Sequence, residues 1–235
     1  MSLPKIEHPI FKIKIPSTKK ETRFRPFLVK EEKILLIAKA SEQESDVLLA
    51  IKQIVNNCCL DDVNIDKLAL FDVEYLFLKI RAQSINNIVA VTYRDNEDGM
   101  DYDFDIDLNN VVVSFPLNLE SNIKLTDSTG VMMKYPDASL YEDKEFLNSG
   151  DEVFYQLALR CIDKLYDKDN VYDVKNYTLQ ELAEYIENMD VNSFDKIRDF
   201  IINQPKLSYI IEYKNKMGNE RKIELTTLTD FFTLR

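Results

Sequence analysis

The sequence predicts an α+β fold, with β-hairpins at the N-terminus, in the middle and at the C-terminus, and amphipathic helices packed between them. Three observations lead to this prediction. Strand-like segments flank short polar turns at those three places. Segments with helical periodicity fill the stretches between them. The chain has 235 residues, of which 45% are hydrophobic and 30% are charged, a composition typical of a globular protein long enough to bury a core.

The N-terminal segment predicts a basic hairpin. Residues 8–16 and 23–29 have the character of strands, and the polar segment 17–20 between them is typical of a turn. Residues 1–40 contain ten lysines and arginines and four acidic residues, so this region carries a charge of +6.

Three helices are expected next. The first covers 30–40, and the acidic residues Glu31 and Glu32 in its first turn interact favourably with the helix dipole. The second covers 47–58 and has one apolar face. The third covers 72–84 and is apolar on most sides, which predicts a helix central in the core or half-buried by a partner. Its apolar positions are Val73, Leu76, Phe77 and Ile80, with Tyr75 and Leu78 beyond that stripe.

The middle of the chain changes to strand-like patterns. Residues 88–94 and 101–108 predict a hairpin around the turn at 96–99. Further strands are expected at 111–115, 123–126 and 131–135.

The polar and irregular segment 136–150 is the best candidate for a linker, so we expect two lobes, 1–135 and 151–235. The second lobe is expected to be helical and to end in a hairpin. Its expected elements are helices over 154–165, 179–186 and 194–201, followed by strands 207–213 and 221–227.

The sharpest local feature is an acidic strand. Because side chains alternate along a strand, four carboxylates share one face, those of Asp101, Asp103, Asp105 and Asp107. A calcium loop starting at Asp101 would need Gly at its sixth position and Glu at its twelfth, where this chain has Ile106 and Val112. The face is therefore expected to be solvated or to meet a basic surface, which is either the N-terminal hairpin of the same chain or a partner.

Composition and rare residues exclude several functions. The net charge of −11 argues against affinity for nucleic acid or anionic membranes. No apolar run is long enough to span a bilayer, which argues against membrane insertion. The single histidine, His8, and the four dispersed glycines predict no catalytic triad and no nucleotide loop. We therefore expect a soluble intracellular protein with no catalytic, cofactor-binding or metal-binding residue. Cys58 and Cys161 fall on apolar stripes and are expected in the core.

Two stretches carry a resemblance to a known family. One is Arg25-Pro26-Phe27-Leu28-Val29-Lys30-Glu31-Glu32-Lys33-Ile34-Leu35-Leu36. The other is Phe71-Asp72-Val73-Glu74-Tyr75-Leu76-Phe77-Leu78-Lys79-Ile80-Arg81-Ala82-Gln83-Ser84. In these stretches and in the order of its elements, the chain resembles the baseplate hub assembly proteins of T-even-type contractile-tailed bacteriophages.

The resemblance implies a non-enzymatic morphogenesis protein that acts in assembly of the baseplate central hub as a chaperone-like factor. Its implied partners are hub or tape-measure proteins, in the host cytoplasm during assembly. A permanent structural subunit located in the virion baseplate is the alternative, and a small enzyme or inhibitor with an acidic site is a third. The sequence leaves open whether the chain also forms a homo-oligomer. The expected partner-binding residues are Tyr75, Leu78, Asp101, Asp103, Asp105 and Asp107.

Overall fold

A computed structural model describes residues 6–231 and confirms the α+β class. The helices of this range are α1 (Val29–Ala40), α2 (Glu44–Cys58), α3 (Leu70–Ser84), α4 (Lys144–Leu147), α5 (Val153–Cys161), α6 (Leu179–Glu187), α7 (Val191–Ile202) and α8 (Leu228–Phe231). The strands are β1 (Phe11–Lys14), β2 (Glu21–Phe24), β3 (Ile88–Arg94), β4 (Asp101–Asp107), β5 (Val112–Ser114), β6 (Asn122–Lys124), β7 (Gly130–Met133), β8 (Ile162–Tyr166), β9 (Val171–Asp173), β10 (Lys206–Lys214) and β11 (Glu220–Leu225).

The chain forms two units, and their boundaries differ from the two lobes expected from sequence. One unit combines the chain up to Ser114 with the chain from Lys206 onward, and the other is Phe115–Pro205. The reason is strand pairing, because β10 lies between β11 and β5 in a single antiparallel sheet. The C-terminal hairpin therefore belongs to the same unit as the N-terminal one. The outermost parts of both expected lobes, residues 1–5 and 232–235, lie outside the described residues.

The expected linker at 136–150 is a folded segment of the second unit. It contains a 3₁₀ turn at Ala138–Glu142 and the short helix α4. Ala138, Leu140 and Tyr141 are buried, although the polar residues around them made the segment look like a linker. Asp143 accepts a hydrogen bond from the backbone N–H of Phe146, which caps α4, and it pairs with Arg160.

The second unit is a four-stranded antiparallel sheet, β6-β7-β8-β9, with a core shared by α5, α6 and α7. The helix expected over 154–165 ends at Cys161, and residues 162–166 instead form β8, which pairs with β7 and β9. Their apolar periodicity fitted a helix, but sheet pairing decides the conformation of this short stretch. A capping box starts α6, since Thr178 and Glu181 exchange hydrogen bonds.

In the first unit, α3 is buried on almost every side, as its apolar pattern predicts. It packs against α2, β5, β10 and the turn at Leu108–Asn110. Its buried residues are Phe71, Asp72, Val73, Leu76, Phe77, Leu78 and Ile80. The helix is therefore the centre of this unit's core.

The two stretches that carry the family resemblance meet at this helix. The backbone N–H of Phe27 donates to Ser84 Oγ at 2.8 Å, and the rings of Phe27 and Phe77 lie 5.6 Å apart. The buried carboxylate of Asp72 accepts hydrogen bonds from both the N–H and the hydroxyl of Ser17, in the turn between β1 and β2. These residues join the N-terminal hairpin, the entry to α1 and α3 into one structure.

A buried ion pair fixes the start of α1. Arg25 donates from both terminal nitrogens to the two carboxylate oxygens of Glu31, at 3.1 and 3.0 Å. The Glu31 side chain is fully buried and also accepts the N–H of Leu28 at 3.0 Å. Burial raises the pKa of Glu31, but hydrogen bonds from Arg25 and Leu28 outweigh it and hold the pKa below its usual range. Arg25 also donates to the carbonyl of Asn57 at 2.8 Å, which ties α1 to the end of α2.

Cys58 and Cys161 are fully buried, which confirms their expected place in the core. Burial raises the pKa of both thiols to about 12. Both side chains therefore serve as core packing groups in the thiol form.

We predict that Arg25→Ala lowers the free energy of unfolding by about 3–5 kcal/mol, because it leaves a buried and unpaired carboxylate on Glu31. The double variant Arg25→Met with Glu31→Leu should recover most of that loss. Urea denaturation measures both values. Lys12→Ala is the control, since it breaks the exposed Lys12–Glu21 pair and should cost about 1 kcal/mol or less. A cost of Arg25→Ala similar to that of the control would contradict the role given to the buried pair.

Candidate protein-interaction surface

The expected partner residues on α3 have different positions in the structure. Leu78 is 0% exposed and belongs to the core, so its expected role in partner binding is wrong. The apolar pattern placed Leu78 outside the buried stripe of α3. The buried surface of α3 is wider than that stripe, because the helix has neighbours on several sides. Tyr75 is half-buried and keeps part of its ring at the surface.

Tyr75 lies beside a lysine that is itself held by the protein. The ammonium of Lys79 lies 5.0 Å from the centre of the Tyr75 ring, and it donates to the carbonyls of Leu108 and Asn109 at 2.9 and 2.7 Å. Burial lowers the pKa of Lys79 to about 8 and raises the pKa of Tyr75. Both side chains line an open groove of about 310 Å³ next to β1.

The acidic strand has the predicted alternation. On β4, the side chains of Asp101, Asp103 and Asp105 are exposed and that of Asp107 is half-buried, while Ile106 on the other face is buried. Asp103 accepts a hydrogen bond from Thr92, and Asp107 accepts one from Asn87. Within residues 6–231, none of the four aspartates forms a salt bridge. No group of three or more His, Cys, Asp or Glu in this range is placed to hold a metal ion.

The acidic turn before β4 binds another part of the same chain. Its basic neighbour is the C-terminal hairpin. The buried carboxylate of Asp95 accepts hydrogen bonds from the hydroxyl of Tyr213 and, at 3.1 Å, from Arg221. These interactions, that of Tyr213 first, hold the pKa of Asp95 below its usual range. Glu97 accepts hydrogen bonds from the side-chain amides of Asn215 and Asn219, at 2.6 and 2.9 Å. This cluster anchors the turn between β10 and β11 to the turn between β3 and β4.

The outer face of α1 is an exposed apolar helix surface that the sequence patterns did not predict. It comprises Val29, Lys33, Leu36, Ile37 and Ala40, which are all exposed. Val29 is 81% exposed, Leu36 is 61% exposed and Ile37 is 62% exposed. The spacing i, i+4, i+7, i+8, i+11 is the one that normally marks the buried face of a helix. The run Ile34-Leu35-Leu36-Ile37 was the available signal, because four consecutive apolar residues extend over more than one face of a helix.

This face is exposed because α1 is held from its opposite side. There Glu31 and Ala38 are buried, and α1 packs against α2. The Arg25–Glu31 pair thus fixes the rotation of α1 and leaves the outer face of α1 in solvent. An exposed apolar stripe on a fixed helix is typical of a surface that binds another protein.

None of the helices among residues 6–231 has the length and apolar character needed to cross a membrane.

A family model described as T4 bacteriophage base plate protein matches residues 8–233. No curated protein and no solved structure gives a significant match.

We predict that Glu74→Gln, on α3, stabilises the protein at neutral and alkaline pH. Glu74 is half-buried, no hydrogen bond or ion pair within the described residues involves its carboxylate, and burial raises its pKa from 4.5 to about 7. Between these values the folded state holds a proton that the unfolded chain has lost, so wild-type stability falls as pH rises through this window. The variant should gain roughly 1–3 kcal/mol above about pH 8 and nothing below about pH 4.

Thermal unfolding across this pH range measures the difference. The control is Glu212→Gln, which replaces an exposed carboxylate on β10 and should leave the pH profile unchanged. A Glu74→Gln profile parallel to that of the wild type would show that Glu74 does not titrate as described.

Proposed function

The chain belongs to the T4 bacteriophage base plate protein family, and we propose that within it this protein acts in assembly of the baseplate central hub, as a non-enzymatic, chaperone-like factor for hub or tape-measure proteins. Its place of action would be the host cytoplasm during assembly. Family membership supports a role in the phage baseplate. The finer role rests on the surface of the first unit.

The observation that carries the proposal is the outer face of α1. Four of its five side chains are apolar, and all five are exposed. An assembly factor needs an apolar surface that its client covers, and burial of a Leu or Ile side chain contributes about 1.5–3 kcal/mol. Lys30, Lys33 and Lys39 add positive charge around this face. The chemistry therefore favours a partner helix or groove that is apolar at its centre and acidic at its rim.

A permanent structural subunit of the hub is the second candidate, because the apolar face can also be buried permanently against another subunit in the virion. The two roles differ in the fate of the chain after assembly. Mass spectrometry of purified virions separates them. Absence of the chain from virions supports the assembly factor, whereas stoichiometric presence supports the structural subunit.

We predict that the double variant Leu36→Asp with Ile37→Asp folds normally but loses its hub partner. Changes at exposed positions alter the free energy of unfolding by about 0.5 kcal/mol, whereas removal of apolar anchors from an interface costs about 2 kcal/mol or more. The measurement is co-purification of hub proteins with the tagged chain from infected cells, together with its thermal unfolding.

The matched control is Val191→Asp with Ile202→Asp, which places the same two charges at exposed apolar positions of α7. This control should recover hub proteins at the wild-type yield. If the Leu36 and Ile37 variant also keeps the wild-type yield, α1 does not bind the partner.

A further inference from the structure

The strand β1 has a free edge, and the backbone groups on that edge belong to lysines. On β2, Arg23 uses its N–H and C=O away from β1, because its N–H donates to Asp61 and its C=O accepts from Leu60. Lys12 lies opposite Arg23 in this antiparallel pair, so its own N–H and C=O point to the other edge. The same alternation gives Lys14 this orientation. Within the described residues, β1 pairs only with β2.

The strand β4 also has a free edge, and its backbone groups belong to aspartates. Asp95 donates its N–H to the C=O of Met100, and Leu108 donates to the C=O of Asn87, so these two pairs mark the hydrogen-bonded positions at both ends of the hairpin. Hydrogen-bonded and non-hydrogen-bonded pairs alternate between these two ends. The N–H and C=O groups therefore point away from β3 at Asp101, Asp103, Asp105 and Asp107. In the described part of the chain, β4 pairs only with β3.

Within one molecule, the free backbone N–H and C=O groups of β1 and β4 do not form hydrogen bonds with each other among the described residues. Both belong to the first unit, but no hydrogen bond or ion pair among residues 6–231 joins β1 to β4. A groove of about 310 Å³ lies beside this strand and is lined by Lys12 and Lys14 on β1 and by Tyr75, Lys79 and Gln83 on α3. Lys12 does pair with Glu21, but both side chains are 61% exposed, so this pair can exchange at little cost.

We propose that β1 of one copy pairs antiparallel with β4 of a second copy, so that the chain associates with itself through a continuous sheet. The backbone N–H and C=O groups of the lysines on β1 would form hydrogen bonds with those of the aspartates on β4. In a central register, Lys12 lies opposite Asp105 and Lys14 opposite Asp103, with the charged side chains on one face. Oppositely charged residues directly opposite each other stabilise a strand pair.

Charged residues on an edge strand also have a simpler role, because they prevent indiscriminate strand pairing. The two roles are compatible, since lysines that exclude most strands still accept an acidic one. In this chain the edge charges are basic on β1 and acidic on β4, so each edge excludes a copy of itself and admits the other. The resulting contact joins two different surfaces, so it generates a closed ring or an open chain of copies.

Sedimentation equilibrium with charge-reversal variants tests the proposal. The first variant is Lys12→Glu with Lys14→Glu, and the second is Asp103→Lys with Asp105→Lys. Wild-type protein should associate reversibly at micromolar to millimolar concentration, and more weakly at high salt. Each variant alone should associate at least about tenfold more weakly. An equimolar mixture of the two should regain association, because each reversed edge then finds an edge of opposite charge.

Two controls make the result specific. Lys144→Glu with Lys168→Glu and Asp62→Lys with Glu224→Lys make the same charge changes at exposed positions outside both edge strands and should leave association unchanged. The second edge variant also makes the net charge of −11 less negative, so general repulsion between copies would predict stronger association, not weaker. A wild-type protein that stays monomeric at all concentrations in low salt would overturn the proposal. Association that both edge variants leave intact, or that the mixture fails to restore, would overturn it equally.

Discussion

The burial of α3 on almost every side is the constraint on which the first unit depends. Polar groups on a helix so placed cost free energy unless they find partners within the protein. Asp72 and Ser84 find theirs in the turn at Ser17 and in the backbone of Phe27. Lys79 meets the same requirement through the carbonyls of Leu108 and Asn109. These contacts place the N-terminal hairpin, α1 and the segment before β5 around one helix. A change in the position of α3 would therefore be transmitted to all of them.

The same constraint explains the character of the two stretches that resemble the family. Their prominent residues include Arg25, Glu31, Asp72 and Phe77, and each is engaged in the core or in a buried polar contact. The stretches thus specify a scaffold. Among their residues, those left exposed lie chiefly on α1, and Val29, Lys33 and Leu36 belong to its outer face. Scaffold and exposed surface are encoded in overlapping segments, because one side of α1 carries Glu31 and the other carries the apolar stripe.

Much of the fold could be predicted from local patterns, since hairpins and helix caps depend on neighbouring residues. The hairpin at β3 and β4 and the capping box at Thr178 are examples. Pairing between β5 and β10 could not be predicted, because it joins residues about ninety positions apart without a local signal. The segment 136–150 is typical of a linker for another reason, because polar residues surround Ala138, Leu140 and Tyr141, which are buried in the fold.

The candidate surface was harder to predict. Periodicity shows that a helix has apolar residues on several sides, but it does not show which side the rest of the chain covers. Leu78 and Leu36 are both leucines in helices with wide apolar patterns, yet one is fully buried and the other is 61% exposed. The acidic residues pose a similar problem, since Asp95 and Glu97 are bound by the C-terminal hairpin while Asp101 and Asp105 form no salt bridge within the described residues.

The central claim is that α3 forms the core of the first unit and that α1 offers the surface for a partner. Amide hydrogen exchange, followed by mass spectrometry on the free chain and on the chain mixed with hub proteins from infected cells, tests this claim most directly. Amides of α3 should exchange slowly in both samples, and amides of α1 should become protected when hub proteins are added. Protection that appears in α3 while α1 stays unchanged, or rapid exchange of α3 in the free chain, would contradict the roles given to these two helices.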